Sequence, residues 1–193
     1  MQSRFLLITE KKYDVILDIK YATENNFTGK KIYNSSKVFL HENAAKKLLI
    51  ASQYAKNLGY KIKIFDAFRP LDVQQSLYEQ INDERYVSNP VTGVATHTRG
   101  VAVDLTLVDI HGDELDMGTE FDSFDDRAHQ SPDIPNLSQN VLCNRIILAG
   151  IMSIAGFTPL STEWWHYHIR IYDEYLDYTD FPKLKMSDVD GYI

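Results

Sequence analysis

The run Val101-Ala102-Val103-Asp104-Leu105-Thr106-Leu107-Val108 is the clearest strand in the chain and the strongest constraint on its fold. Successive side chains of a strand point to opposite faces. Val101, Val103, Leu105 and Leu107 therefore share one face, and Ala102, Asp104, Thr106 and Val108 share the other. Asp104 has small neighbours on its own face, which leaves room for an ion. His97 lies seven residues upstream. Gly100 and the β-branched Val101 and Val103 argue against a helix joining the two. In one straight strand an odd separation would place them on opposite faces. The chain is therefore expected to bend at Arg99-Gly100, so that His97 comes from a loop and Asp104 from a strand.

A second cluster, Glu163-Trp164-Trp165-His166, lies downstream. Two imidazoles and one carboxylate can hold zinc at three corners and leave a fourth open to water. A further carboxylate beside such a site is the minimal equipment for metal-assisted hydrolysis. Glu163 and His166 are also an odd number of residues apart, so Glu163 is expected just before the last strand, where the chain is still turning. His168 shares the face of His166 and is a rival ligand on geometry alone. His41 near a helix start, His111 in a turn and His129 in a polar run are not expected to bind metal.

At 193 residues with 44% hydrophobic content, the chain can bury a substantial core, and a single domain over 1–193 is expected. A helix over 42–58 follows from Ala45, Leu48, Leu49, Ala51 and Ala55, with Gly59 as its stop. Residues 61–65 alternate as a strand, and Arg69-Pro70 ends it. A second helix is expected over 72–81 and a third over 140–155, ended by Gly156. Residues 110–115 read as a turn returning into another strand. The last strand, 163–171, puts Trp164, His166, His168 and Arg170 on one face. These elements predict an α+β fold with a mainly antiparallel central sheet flanked by helices and the zinc site on the sheet.

The net charge of −7 and the lack of a basic stripe argue against nucleic acid or an anionic membrane as partner. No apolar run is long enough to span a bilayer. The apolar stretch Phe5-Leu6-Leu7-Ile8 is too short for a signal-peptide core and reads as a first strand. A cytoplasmic location is expected, or a periplasmic one if the sequence begins at a processing site. Cys143, the only cysteine, is expected to be a small buried side chain in a helix.

The residues around the candidate ligands narrow this further. The segment from Thr96 to Leu107 closely resembles the first zinc-binding motif of the D-alanyl-D-alanine dipeptidases, the VanX-like zinc peptidases. Glu163-Trp164-Trp165-His166-Tyr167 resembles their second motif. Tyr21-Ala22-Thr23-Glu24-Asn25-Asn26-Phe27-Thr28-Gly29, Asp66-Ala67-Phe68-Arg69-Pro70 and Met117-Gly118-Thr119-Glu120-Phe121-Asp122 are similar to further family segments, in order. The resemblance implies that His97, Asp104 and His166 hold one zinc ion and that Glu163 is the general base. It implies that Arg69 stabilises the oxyanion and that Tyr21 and Asp122 meet the substrate's free amino group. It gives His168 no role. The family usually has serine two residues before the first zinc histidine; here Ala95 stands there, and Thr96 or Thr98 is left to supply a hydroxyl.

The expected activity is zinc-dependent hydrolysis of the D-alanyl-D-alanine dipeptide to two D-alanines. Its expected partner is a small dipeptide. The alternatives are a peptidoglycan D,D- or L,D-carboxypeptidase of the same broad fold, or a non-catalytic zinc-stabilised binding module.

Overall fold

A computed structural model describes residues 4–169 and 177–189, apart from 85, 132 and 135. Strand β1 (Phe5–Ile8) leads through a short helix α1 (Glu10–Tyr13) into β2 (Val15–Leu17). After an irregular stretch, β3 (Val38–His41) runs directly into α2 (Glu42–Asn57). His41 ends the strand and caps the helix, its Nδ1 accepting the Asn43 N–H at 3.2 Å. The inward face of α2 is Ala44, Ala45, Leu48, Ala51, Ser52 and Ala55. Gly59, at φ 83°, turns the chain into β4 (Lys61–Asp66). Helix α3 (Leu71–Ile81) follows, then β5 (Ala102–Val108), every residue of which is buried. Helix α4 (Gln139–Ile154) is capped by the Ser138 hydroxyl and stopped by Gly156 at φ 93°. A hairpin of β6 (Phe157–Leu160) and β7 (Glu163–Ile169) precedes a short α5 (Met186–Val189).

The main sheet has the order β2-β4-β5-β7-β6. Only the β2–β4 pair is parallel. Strands β1 and β3 form a separate antiparallel pair. The fold is α+β with a mainly antiparallel sheet, as the alternation and helical periods predicted. The core lies between the sheet and helices α2 and α4, built on Leu48, Ile62, Ile64, Leu105, Leu107, Leu148 and Phe157. None of the helices among the described residues is long and apolar enough to cross a membrane.

The bend expected at Arg99-Gly100 is present. Thr96–Arg99 forms one turn of 3-10 helix, and Gly100 closes it in the left-handed region at φ 66°. The Gly100 carbonyl accepts the His41 N–H at 2.8 Å, which ties the turn to β3. A β-carbon at Gly100 would lie 2.7 Å from Phe5 Cζ and 3.0 Å from the His41 nitrogen. Gly100→Ala is therefore expected to cost about 2–4 kcal/mol, combining left-handed strain with overpacking. Gly112→Ala isolates the strain, because Gly112 has φ 89° and open space around it. Urea denaturation of the two variants should show the larger loss at Gly100.

Three expectations need correction. Residues 110–115 do turn, with Asp109 Oδ1 accepting the His111 and Asp113 N–H groups at 2.8 and 3.1 Å. They do not enter another strand: only the single bridge Val108–Glu114 forms. The next groups are used elsewhere. Asp116 Oδ1 accepts the Gly118 N–H at 2.8 Å, and the Met117 carbonyl accepts Arg145 Nε at 2.8 Å. Cys143 is exposed. On α4 the buried positions are Val141, Arg145, Leu148, Ile151 and Met152, and the helical period turns position 143 away from them. Glu163 is the first residue of β7, not a residue before it. Arg170, expected on the face of His166, lies outside the described residues.

Candidate active site

The sheet register brings the candidate ligands together. Asp104 on β5 pairs directly with His166 on β7, and on its other side with Asp66 on β4. His97 enters from the 3-10 turn. One ligand atom each from His97, Asp104 and His166 lies within 4.8 Å of the others, and all three residues are buried. His97 Nε2 and His166 Nδ1 are 3.0 Å apart. Asp104 Oδ1 stands 3.2 Å from the first and 3.1 Å from the second.

This donor set fits zinc. Tetrahedral ligands at about 2.0–2.1 Å from an ion stand roughly 3.3 Å from one another, close to these separations. His97 Nδ1 lies 2.6 Å from the Ala67 carbonyl oxygen, which fixes the ring and aims Nε2 at Asp104 and His166. Burial alone would raise the Asp104 carboxyl, but His97 and the hydrogen bonds from His166 and His97 outweigh it and hold Asp104 well below the usual carboxylate range. Burial pushes His166 below its ordinary value despite Asp104, which favours the neutral imidazole. His168 lies outside this cluster. It lines the cavity, its buried Nδ1 has no hydrogen-bond partner, and burial lowers it to about 3.

Glu163 stands apart from the triangle, its Oε2 3.9 Å from His166 Nδ1. The odd spacing of these two residues is resolved by an irregular register. Pro159 pairs with Tyr167 but Leu160 with Glu163, so Trp164, Trp165 and His166 have no counterparts on β6. The extra length lets both side chains reach one cavity. Burial, and then the Asp104 and Asp122 carboxylates, push the Glu163 carboxyl well above its ordinary value.

The seven residues singled out in the sequence (Tyr21, Arg69, His97, Asp104, Asp122, Glu163 and His166) all line one cavity of about 410 Å³. The Tyr21 hydroxyl donates to Asp122 Oδ2 at 2.8 Å. Burial lifts Asp122 to about 7, against the Tyr21 hydrogen bond. Asp122 sits in the left-handed region at φ 58°, in a loop that Arg145 gathers from α4. Arg145 donates to the Met117 and His129 carbonyls at 2.8 and 2.9 Å and to Arg127 O at 2.6 Å.

Arg69 is buried rather than part of a surface ion pair. Its Nε donates to Asp66 Oδ2 at 2.9 Å, and Nη2 stands 2.8 Å from the same oxygen. Nη1 donates to Gln74 Oε1 at 3.1 Å. Burial works against its charge, but Asp66 offsets this and keeps the guanidinium protonated. Asp66 also accepts the Tyr33 hydroxyl at 2.8 Å. Asp66, Tyr33 and Gln74 were given no role in the sequence reading. Alternation along β4 could not have found Asp66: Ile64 pairs with Leu105 but Asp66 with Asp104, so a bulge between them turns Asp66 onto the face of Asp104, opposite Ile62 and Ile64.

Ala95, 4% exposed, lines the cavity with φ 48°. Of its two neighbouring threonines, Thr98 is buried with its hydroxyl donating to the Ala95 carbonyl at 2.8 Å. Thr96 lines the cavity, 3.5 Å from His166 Nε2.

The profile of the peptidase M15 family described as D-ala-D-ala dipeptidase matches residues 1–183. The D-alanyl-D-alanine dipeptidase of Escherichia coli (strain K12) is 39% identical over 157 residues, covering 81% of this chain and 79% of its own. The D-alanyl-D-alanine dipeptidase of Enterococcus faecium is 33% identical over 202 residues, covering 94% and 99% respectively. That of Enterococcus faecalis is 31% identical over 189 residues, covering 88% and 93%. A solved structure of a vancomycin resistance D,D-pentapeptidase VanY variant with Zn(II) is more distant, at 16% identity and TM-score 0.40, with 89% of this chain and 91% of that chain covered. With the family profile spanning nearly the whole chain, this protein belongs to the D-Ala-D-Ala dipeptidase family of M15 peptidases and is a metallopeptidase.

Proposed function

We propose that the enzyme hydrolyses free D-alanyl-D-alanine to two D-alanines, with one zinc ion per chain held by His97, Asp104 and His166. The observation that carries this is the convergence on one cavity of a buried His-Asp-His triangle, a separate carboxylate and a buried Tyr21–Asp122 pair. Zinc in such a set supplies a Lewis acid and an acidified water. Glu163, poised by burial to hold a proton, accepts one from the attacking water and delivers it to the leaving nitrogen as the peptide C–N bond breaks. Arg69 is fixed by Asp66 and Gln74, so its charge needs no reorientation to stabilise the developing oxyanion. Asp122, with Tyr21 bonded to one oxygen, pairs with the substrate's ammonium group. That favours short peptides with a free N-terminus over cross-linked wall, and a cytoplasmic role on free dipeptide.

The test is a panel of D,D-, L,D- and L,L-dipeptides, free and N-acetylated, with metal content measured on the same sample. Release of D-alanine from free D-Ala-D-Ala is expected, lost on chelation and restored by zinc. Faster cleavage of N-blocked substrates would instead establish a carboxypeptidase.

Asp122 gives this reading a pH signature. With its carboxyl at about 7, kcat/KM for free dipeptide should rise with pH through that value as the anion forms. Asp122→Asn should remove that limb and raise KM by about 10- to 100-fold, the loss of one charge-assisted contact. The same ionisation acts oppositely on stability. Between the ordinary value of 3.8 and about 7 the folded protein keeps a proton that the unfolded chain has lost, so this group's contribution to stability falls as pH rises through that window.

A further inference from the structure

The loop of residues 88–95 forms one wall of the cavity, through Ser88, Val94 and Ala95. Four of its N–H groups are satisfied within the loop. Asn89 Oδ1 accepts from Val91 at 2.9 Å and from Thr92 at 3.2 Å. The Asn89 carbonyl accepts from Gly93 at 2.9 Å, and Ser88 Oγ accepts from Ala95 at 3.2 Å. The carbonyls of Pro90, Val91 and Gly93 converge on one cation, the Lys183 ammonium, at 2.7, 3.1 and 2.8 Å. An ammonium carries three N–H donors, so the match is complete. The next carbonyl, Val94, accepts Arg99 Nε at 2.7 Å.

Lys183 arrives on a segment bonded to the turn that carries His97 and to the first residue of α3. The Leu184 N–H donates to the Thr98 carbonyl, and the Leu184 carbonyl accepts the Leu71 N–H, both at 2.9 Å. Arg99 Nη1 donates to the Tyr178 carbonyl at 2.7 Å and also to that of Phe181. At its start the loop is tied to the oxyanion arginine. Gln74 Nε2 donates to the Ser88 carbonyl at 2.7 Å, and Gln74 Oε1 accepts from Arg69.

We propose that Lys183 is a positioning residue for substrate binding: its ammonium fills a nest of three carbonyls and so fixes the 88–95 loop as a wall of the cavity. It touches no reacting atom. Its effect passes through the loop backbone to Ala95 and the cavity wall, while Arg69 keeps its anchor on Asp66. The kinetic arm of the test rests on the dipeptidase reading; the exchange arm does not.

The test compares Lys183→Met, Lys183→Ala and Lys183→Arg in the zinc-loaded full chain. Amide hydrogen exchange at Val91, Thr92, Gly93 and Ala95 should quicken about tenfold in Lys183→Met, the loss of one charge-assisted cluster. KM for the dipeptide should rise about tenfold with kcat within about twofold, because the wall shapes binding while Glu163 and the metal ligands stay in place. Lys183→Arg should fall between the two. Added methylammonium should restore KM in Lys183→Ala, where the nest is empty and reachable. It should not do so in Lys183→Met, where the side chain blocks the approach. Unchanged loop exchange in Lys183→Met overturns the proposal. So does a KM defect in Lys183→Ala that methylammonium leaves untouched. If the unaltered enzyme turns over no dipeptide, the dipeptidase reading fails and the exchange arm alone decides the role of Lys183.

Discussion

Replacing Glu163 with glutamine is expected to lower kcat by about 10²–10⁴, with metal content unchanged. The geometry separates the two outcomes. Glu163 lies outside the His97–Asp104–His166 triangle, so its loss removes no ligand from that set. An amide keeps the shape of the side chain but cannot take the proton from water or return it to the leaving nitrogen. Stability should not suffer. Burial and two neighbouring carboxylates raise the Glu163 carboxyl well above its ordinary value of 4.5. Its ionisation therefore costs the folded state stability as pH rises above that ordinary value. Glutamine removes that dependence, so the variant's melting temperature should be equal or higher at neutral pH. Steady-state kinetics, metal analysis and thermal melts on one preparation check all three statements. Undiminished turnover would show that another group moves the proton.

Arg69→Met should damage both activity and stability. On the catalytic side, losing a fixed donor to the oxyanion typically costs about 3–4 kcal/mol, or roughly 10²–10³ in kcat. On the structural side, Arg69 is the counter-ion of Asp66, which is wholly buried beside Asp104. Removing one partner of a buried pair strands the other and costs about 3–5 kcal/mol. Asp66→Asn combined with Arg69→Met should recover much of that stability and none of the activity. A double-mutant cycle by urea denaturation measures the coupling, and kcat on the same proteins measures the catalytic part. If the double variant were as unstable as Arg69→Met alone, the stranded Asp66 charge would not be the cause.

Much of this enzyme was legible because its signals are local. The alternation at 101–108 defined β5 and placed Asp104 on the face opposite Leu105 and Leu107. The apolar spacing of Ala45, Leu48, Ala51 and Ala55 defined α2. The incompatibility of an odd spacing with a straight strand placed a bend at Arg99-Gly100, where Gly100 lies at φ 66°. Each inference needs only a short window and the fixed period of a helix or strand. Local tendency fails at Cys143: cysteine is commonly buried, but the helical phase turns this one outward. It fails again after Val108, where only one bridge forms and the Met117 carbonyl further on is bound by Arg145, distant in the chain.

By itself, the sequence determined helices α2, α3 and α4 and strands β1, β4, β5 and β7, the residue types of the site and the family to which they belong. Only the tertiary structure decided how they meet. The pairing of Asp104 with both His166 and Asp66, the extra length of β7 that swings Glu163 into the cavity, and the burial of Arg69 depend on register between strands far apart in the chain. Lys183 in its nest of carbonyls depends on a contact across about ninety residues. The physical reason is that helix and strand periods are properties of a few neighbouring residues. Register, burial and charge pairing arise only when the packed core brings distant segments to one place.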